Sequence, residues 1–173
     1  MKRALFFVIL SFCTAAASAA DTDQVLTANG LPFLPVGTKF HMLEQVLREK
    51  LPDAYQDSKD CVTMSTKYTD SMGVSFMLEG GHLSRVNLDY TAKGPSPIKT
   101  EKGVGLGSTE DEVKQAYGTA LVVKPNRYDP TWHYLVVDEP DHLHAIVFET
   151  NGKKVTSIHA GEYPSVGYTE GCR

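Results

Sequence analysis

The sequence predicts an α+β fold of two tandem helix–three-strand repeats, with the helices packed on mainly antiparallel sheet. Three observations predict it. An apolar residue, a glycine and a hydroxyl residue open a helix-like run twice, at Val36-Gly37-Thr38 and at Leu106-Gly107-Ser108, 70 residues apart. A strand–turn–strand pattern also occurs twice, over residues 74–86 and 146–158. A further strand precedes each hairpin, over 61–69 in the first unit and 132–137 in the second. One helix on one small sheet has little apolar surface to bury, whereas two such units packed together form a core.

Taken in order, the first helix is predicted from Phe40, Leu43, Leu47 and Leu51, which recur at three- and four-residue steps and share one helical face. The second has a shorter stripe, Val113, Ala116 and Tyr117. Thr109 and Glu112 have the spacing of a capping box, and Gly118 is placed to end the helix. In the second hairpin, Asn151-Gly152 is a strong turn signal because both residues tolerate positive φ. Lys93-Gly94-Pro95-Ser96-Pro97 is the linker-like stretch between the units. The repeats are placed at about 31–92 and 100–173, within a single domain over 21–173.

Residues 1–20 read as a secretory signal peptide. Met1-Lys2-Arg3 is the charged start, Ala4 to Phe12 the short apolar run, and Ala17-Ser18-Ala19-Ala20 the small-residue exit. The apolar run is too short to span a bilayer, which needs about 20 such residues. Phe12 before Cys13 does not suit lipidation, and no later segment reads as a membrane span. Without Lys2 and Arg3, the 17 basic residues fall to 15 against 21 acidic ones, a balance of −6. That balance excludes the basic footprint that nucleic acid or anionic lipid demands. Cys13 leaves with the signal, so Cys61 and Cys172 remain as an expected disulfide in an oxidising compartment.

Gly107-Ser108-Thr109-Glu110-Asp111-Glu112-Val113, with Tyr117-Gly118 and the hairpin ending Asn151-Gly152-Lys153-Lys154-Val155-Thr156-Ser157-Ile158, resembles BamE-like (SmpA/OmlA) modules. The tandem arrangement is similar to β-lactamase-inhibitory-protein-like repeats. The second unit also looks like a group of uncharacterised secreted bacterial proteins with a Phe-Glu-Thr…Glu-Gly-Cys ending, here Phe148-Glu149-Thr150 and Glu170-Gly171-Cys172. The resemblance implies binding to other proteins of the cell envelope through sheet or loop surfaces.

The expected function is therefore an exported periplasmic or secreted protein-binding module: an inhibitor, an immunity-type protein or an envelope accessory factor. The expected partner is an envelope or extracellular protein, and no cofactor is expected. Arg127, Tyr128 and Trp132 carry the residue types that dominate interface hot spots on one loop, with Tyr134, His144 and Glu149 expected nearby. Core packing of Trp132 and Tyr134 is the competing reading. The alternative function is a metal-dependent or carboxylate hydrolase using the histidines of the second unit, His133, His142, His144 and His159. These lack a recognised zinc spacing, and no G-x-S-x-G elbow is present. Gly103-Val104-Gly105-Leu106-Gly107 has the wrong spacing for a dinucleotide loop and reads as a strand-to-helix turn.

Overall fold

The structure, a computed structural model, describes residues 24–51 and 61–172. The expected signal peptide lies outside the described residues. Seven strands make one antiparallel sheet: β1 (Val62–Met64), β2 (Val74–Glu79), β3 (His82–Leu88), β4 (Leu121–Pro125), β5 (His133–Asp138), β6 (His144–Thr150) and β7 (Val155–Glu162). Their order across the sheet is β4-β5-β6-β7-β3-β2-β1. Three α-helices accompany it among the described residues: α1 (Phe40–Leu47), α2 (Lys67–Ser71) and α3 (Glu110–Tyr117).

This corrects the expected fold. The described residues are mostly β, with 42% strand against 20% helix, and the seven-stranded sheet replaces two tandem helix–three-strand repeats. The physical reason is the pairing of β7 with β3, which joins Ile158, His159, Ala160 and Gly161 to Leu88, Asn87, Val86 and Arg85. Two sheets that hydrogen-bond edge to edge become one sheet and lose their separate faces. The first helix is also shorter than its apolar stripe suggests, whereas α3 ends at Gly118 as expected. Arg48 turns left-handed directly after Leu47 and stops α1 before Leu51. Leu121–Pro125 forms β4, a strand not expected from the sequence, so the second half contributes four strands. Only Val62–Met64 of the strand expected over 61–69 forms. Thr66 and Thr69 cap one another instead and start α2.

Local likeness between the halves survives in how each helix entry meets its hairpin. Gly37 N–H donates to Leu83 O and Leu83 N–H to Thr38 O; Gly107 N–H donates to Val155 O and Val155 N–H to Ser108 O. Both helices thereby sit on the same face of the sheet as the main core. Phe40, Leu43 and Leu47 of α1 and Val113 of α3 pack there with Phe76, Leu83, Leu135, Phe148 and Ile158. Each such side chain, fully buried, contributes roughly 1.5–3 kcal/mol. In the β6–β7 turn only Gly152 takes positive φ, and a Cβ there would stand 2.2 Å from Thr131 O. The glycine therefore lets the turn press against the β4–β5 loop.

Glu110 fixes α3 to the sheet. It opens the helix behind the Thr109–Glu112 capping box and is almost fully buried. Its Oε1 accepts from Thr150 Oγ1 at 2.5 Å and from His133 Nδ1 at 2.7 Å, and its Oε2 accepts from Lys114 Nζ at 3.4 Å. Burial alone would raise this carboxyl, but the bonds from Thr150, His133 and Lys114 outweigh it and hold it below its ordinary value. A depressed carboxyl stabilises the fold above its unfolded pKa, and that stabilisation is lost as pH falls through the folded value. Glu110→Ala is expected to cost about 1–3 kcal/mol in urea unfolding near pH 7. The gap between wild type and variant should close in acid; a gap independent of pH would show that Glu110 acts by packing alone.

Candidate functional site

The second face of the sheet is polar, and the chain buries it with its own tail. Alternate residues of the central strands point there. His159, Asn87 and Ser75 form one cross-strand row on β7, β3 and β2, while Glu149 and Ser157 form the next on β6 and β7. Arg85 pairs with Gly161, where a Cβ would meet Ser84 O at 2.2 Å and the Arg85 side chain at 3.2 Å. Glycine at 161 therefore clears the space that the arginine occupies.

Residues 163–172 cross this face as a strap. Tyr163 starts it, its hydroxyl donating to Asp138 at 2.7 Å; burial first, and that bond second, push the phenol up to about 12. Val166 packs with Val136, Ala145 and Val147 in a small apolar patch. Arg85 Nη1 donates to the carbonyls of Ser165 at 3.0 Å and Tyr168 at 2.6 Å. The Cys61–Cys172 disulfide closes the far end beside β1, so the expected pair is the observed one. Between strap and sheet lies a cleft of about 580 Å³, lined by Arg85, Asn87, Asp89, Glu149, Ser157 and His159. A narrower recess of about 110 Å³ shares Glu149 and His159 with it and reaches Tyr134 and Lys124.

Two hydrogen-bond chains order the floor of the cleft and meet at Asp89. Asn87 Nδ2 donates to Ser75 Oγ at 3.0 Å, and Ser75 donates to Asp89 Oδ2 at 3.2 Å. On the other side Ser157 donates to Asp89 Oδ1 at 3.0 Å and lies 3.3 Å from His159 Nε2. Ser157 Oγ also lies 3.4 Å from Leu88 O. The direction of its contact with His159 depends on which ring nitrogen carries the proton. His159 Nδ1 lies 3.9 Å from Glu149 Oε1. Burial, and then the nearby Arg85 charge, push His159 down to about 3, while burial raises Glu149 against the pull of Arg85.

This order bears on the hydrolase alternative. Ser157, His159 and Glu149 stand in nucleophile–imidazole–carboxylate sequence, yet the Ser157 hydroxyl is closer to Asp89, at 3.0 Å, than to His159, at 3.3 Å, and Glu149 stands 3.9 Å from the ring, beyond hydrogen-bond reach. The other three histidines are dispersed. His133 is bound to Glu110, His144 Nδ1 to Asp141 at 2.7 Å, and His142 sits in the β5–β6 turn with positive φ. Among the described residues no group of three His, Cys, Asp or Glu side chains is placed to hold a metal ion.

The six expected binding residues separate into three places. Arg127, Tyr128 and Trp132 share the β4–β5 loop and are exposed. Tyr134 and Glu149 pair across β5 and β6 on the polar face, inside the recess. His144 lies at the other end of β6, about 20 Å from the loop at the strand rise per residue. It is therefore not near the loop, which corrects that expectation. The sequence reading missed Arg85, Asn87, Asp89, Ser75 and Ser157. Their alternation with Val86 and Leu88 was visible, but period-two polarity alone describes a solvent face.

The His159 ring is expected to stay neutral, with no change in its NMR shifts between pH 5 and 8. The unfolded chain binds a proton there that the fold does not. Stability therefore falls as pH drops below about 6.5, by up to about 1.4 kcal/mol per pH unit. His159→Gln should flatten that slope relative to wild type. An imidazole that titrates normally in the folded protein would refute the burial that holds the ring neutral.

The disulfide fits a protein outside the cytoplasm. No described helix is long and apolar enough to cross a membrane. In comparisons with known proteins, no family model, no curated sequence and no solved structure matches the chain.

Proposed function

We propose that this chain is an exported, periplasmic or secreted protein-binding module whose docking surface is the β4–β5 loop together with the edge strand β4. The observation that carries the reading is the chain's one tryptophan, Trp132, which stands 44% exposed on a loop whose backbone is held in place. Asn126 Oδ1 accepts from Tyr128 N–H at 2.8 Å, and Asp129 Oδ1 accepts from Thr131 N–H at 2.8 Å and from its hydroxyl at 2.7 Å. Trp132 N–H donates to Asp129 O at 3.0 Å, and Asn126 N–H closes the loop by donating to Trp132 O at 2.9 Å. The Tyr128 hydroxyl, on a side chain 62% exposed, hydrogen-bonds Glu170 of the strap.

A fixed loop presenting Arg, Tyr and Trp loses little conformational entropy on binding, and these residue types dominate interface energetics. Val122 and Val123 on the adjacent edge strand add exposed apolar surface, each 47% exposed. Lys124 and Arg127 lie on β4 and the loop, with Asp129 in the loop and Glu170 against Tyr128, so both signs of charge flank the aromatic residues. The partner it suits is a protein with an aromatic-accepting pocket and a polar rim. The signal-like start, the disulfide and the resemblance to BamE-like envelope modules support export and protein binding alike.

The test uses oxidised residues 21–173 as bait in envelope and culture-fluid fractions of the host, alongside a Trp132→Ala bait. A stoichiometric partner should be recovered by the first and lost from the second, since a hot-spot truncation costs about 2 kcal/mol or more. The variant's melting temperature should move by less than about 2 °C. A partner that binds both baits equally, or no partner at all, would sink the reading; a large fall in melting temperature would return Trp132 to the fold.

A further inference from the structure

The strap over the polar face divides into two stretches held by different means. Residues 163–168 are fixed to the sheet by the fold itself. The Tyr163 hydroxyl donates to Asp138, Val166 is buried in the small apolar patch, and Arg85 donates to the carbonyls of Ser165 and Tyr168. Residues 169–172 are held otherwise. They belong to neither core cluster, and they are part-exposed or exposed where Ser165 and Val166 are buried. They are tied down by the Tyr128–Glu170 hydrogen bond, by a 3.6 Å contact from Thr63 Oγ1 to Cys172 Sγ, and by the covalent bond from Cys172 to Cys61.

This second stretch is also the roof of the cleft. Thr169, Glu170, Gly171 and Cys172 line it together with the sheet residues beneath. Gly171 lies over Arg85, since a Cβ there would stand 3.8 Å from Nη2. The anchor is at the margin of the sheet. Cys61 directly precedes β1, the outermost and shortest strand, which pairs with β2 through three residues. Both cysteines are part-exposed, so a thiol in solution can reach them. The apolar core and the β7–β3 register lie elsewhere. Breaking the bond removes the closure of a 111-residue span and lowers the stability of the whole chain. Within the native structure, however, it frees only the end that the bond holds, and a chain end with few other ties frays.

We propose that the Cys61–Cys172 bond is a redox latch: a dithiol reductant releases residues 169–172 and opens the cleft, while the sheet and residues 163–168 keep their places. One thiolate of the dithiol attacks a sulfur of the pair, breaks the S–S bond and forms a mixed disulfide. The second thiol then displaces the protein sulfur. Two electrons and two protons pass to the protein, which gains two thiols, and the reductant leaves as a cyclic disulfide. The reverse exchange closes the roof again. Glu170 lies in the released stretch, so Tyr128 loses that partner in the same step.

The test compares NMR spectra of the oxidised protein before and after dithiothreitol, with the double variant Cys61→Ser, Cys172→Ser as a permanently open form. On reduction, backbone order parameters of residues 169–172 should fall from about 0.85 to below about 0.6, while those of 163–168 stay high. Amides of β3 and β7 should stay protected from hydrogen exchange. A soluble nitroxide should broaden the Asn87 side-chain amide and the His159 ring signals in the reduced protein and leave them sharp in the oxidised one. Unchanged order in 169–172, or a freed end with those two signals still shielded, would overturn the proposal. So would loss of protection throughout β3 and β7, because the bond would then be a staple of the whole fold. The double variant must give the open spectrum without reductant; a closed spectrum there would trace the change to dithiothreitol and sink the latch.

Discussion

The pairing of β7 with β3 is the constraint on which the rest depends. Four residue pairs join strands that are some 70 positions apart in sequence, and everything on either face is placed by that register. Shifting it by one residue would turn Ile158 and Ala160 out of the core and bury His159 under the helices. The register is held from both sides. Ile158, Ala160, Val86 and Leu88 must face the helices, and Gly161 is needed opposite Arg85 because any side chain there would strike Ser84 and the arginine.

The two faces answer different requirements. The helix-covered face is apolar and follows the ordinary rule that burial stabilises. The strap-covered face buries an arginine, a glutamate, a histidine and an asparagine, and desolvating such groups is costly unless partners are supplied. Partners are supplied unevenly. Asp89 receives two serines, and Arg85 reaches two strap carbonyls, whereas Glu149 Oε1 and Asn87 Oδ1 receive nothing. The cost of covering this face falls on the strap, which is held by Tyr163 at one end and by the disulfide at the other.

How much of this was legible in the sequence depends on the range of the interactions. Short-range signals were reliable: the Thr109–Glu112 box, the hairpins around residues 80 and 152, and the helix stripes all have their cause within a few residues. The architecture was not, because nothing in the sequence of β7 says that its free edge meets β3 and not the edge of a separate unit. Leu121–Pro125 was not recognised as a strand, and its pairing with β5 is what makes it one. The site was legible in part. Tyr134 and Glu149 were picked out and lie in the recess, while Arg85, Asn87 and Asp89 looked like a solvent-facing row until the strap covered them. His144 was associated with the loop by its sequence neighbours, although the length of β6 separates them.

The bond between Cys61 and Cys172 has a topological consequence. It closes a covalent ring that contains all seven strands of the sheet. A single proteolytic cut anywhere within that ring leaves one molecule of unchanged mass plus a water, not two fragments, for as long as the bond stays oxidised. A pull applied at the chain ends is likewise carried through the two sulfur atoms and bypasses the hydrogen-bonded strands. In an environment rich in proteases, the sheet can therefore be nicked without being dismantled, and it is disassembled only where a reductant is at hand.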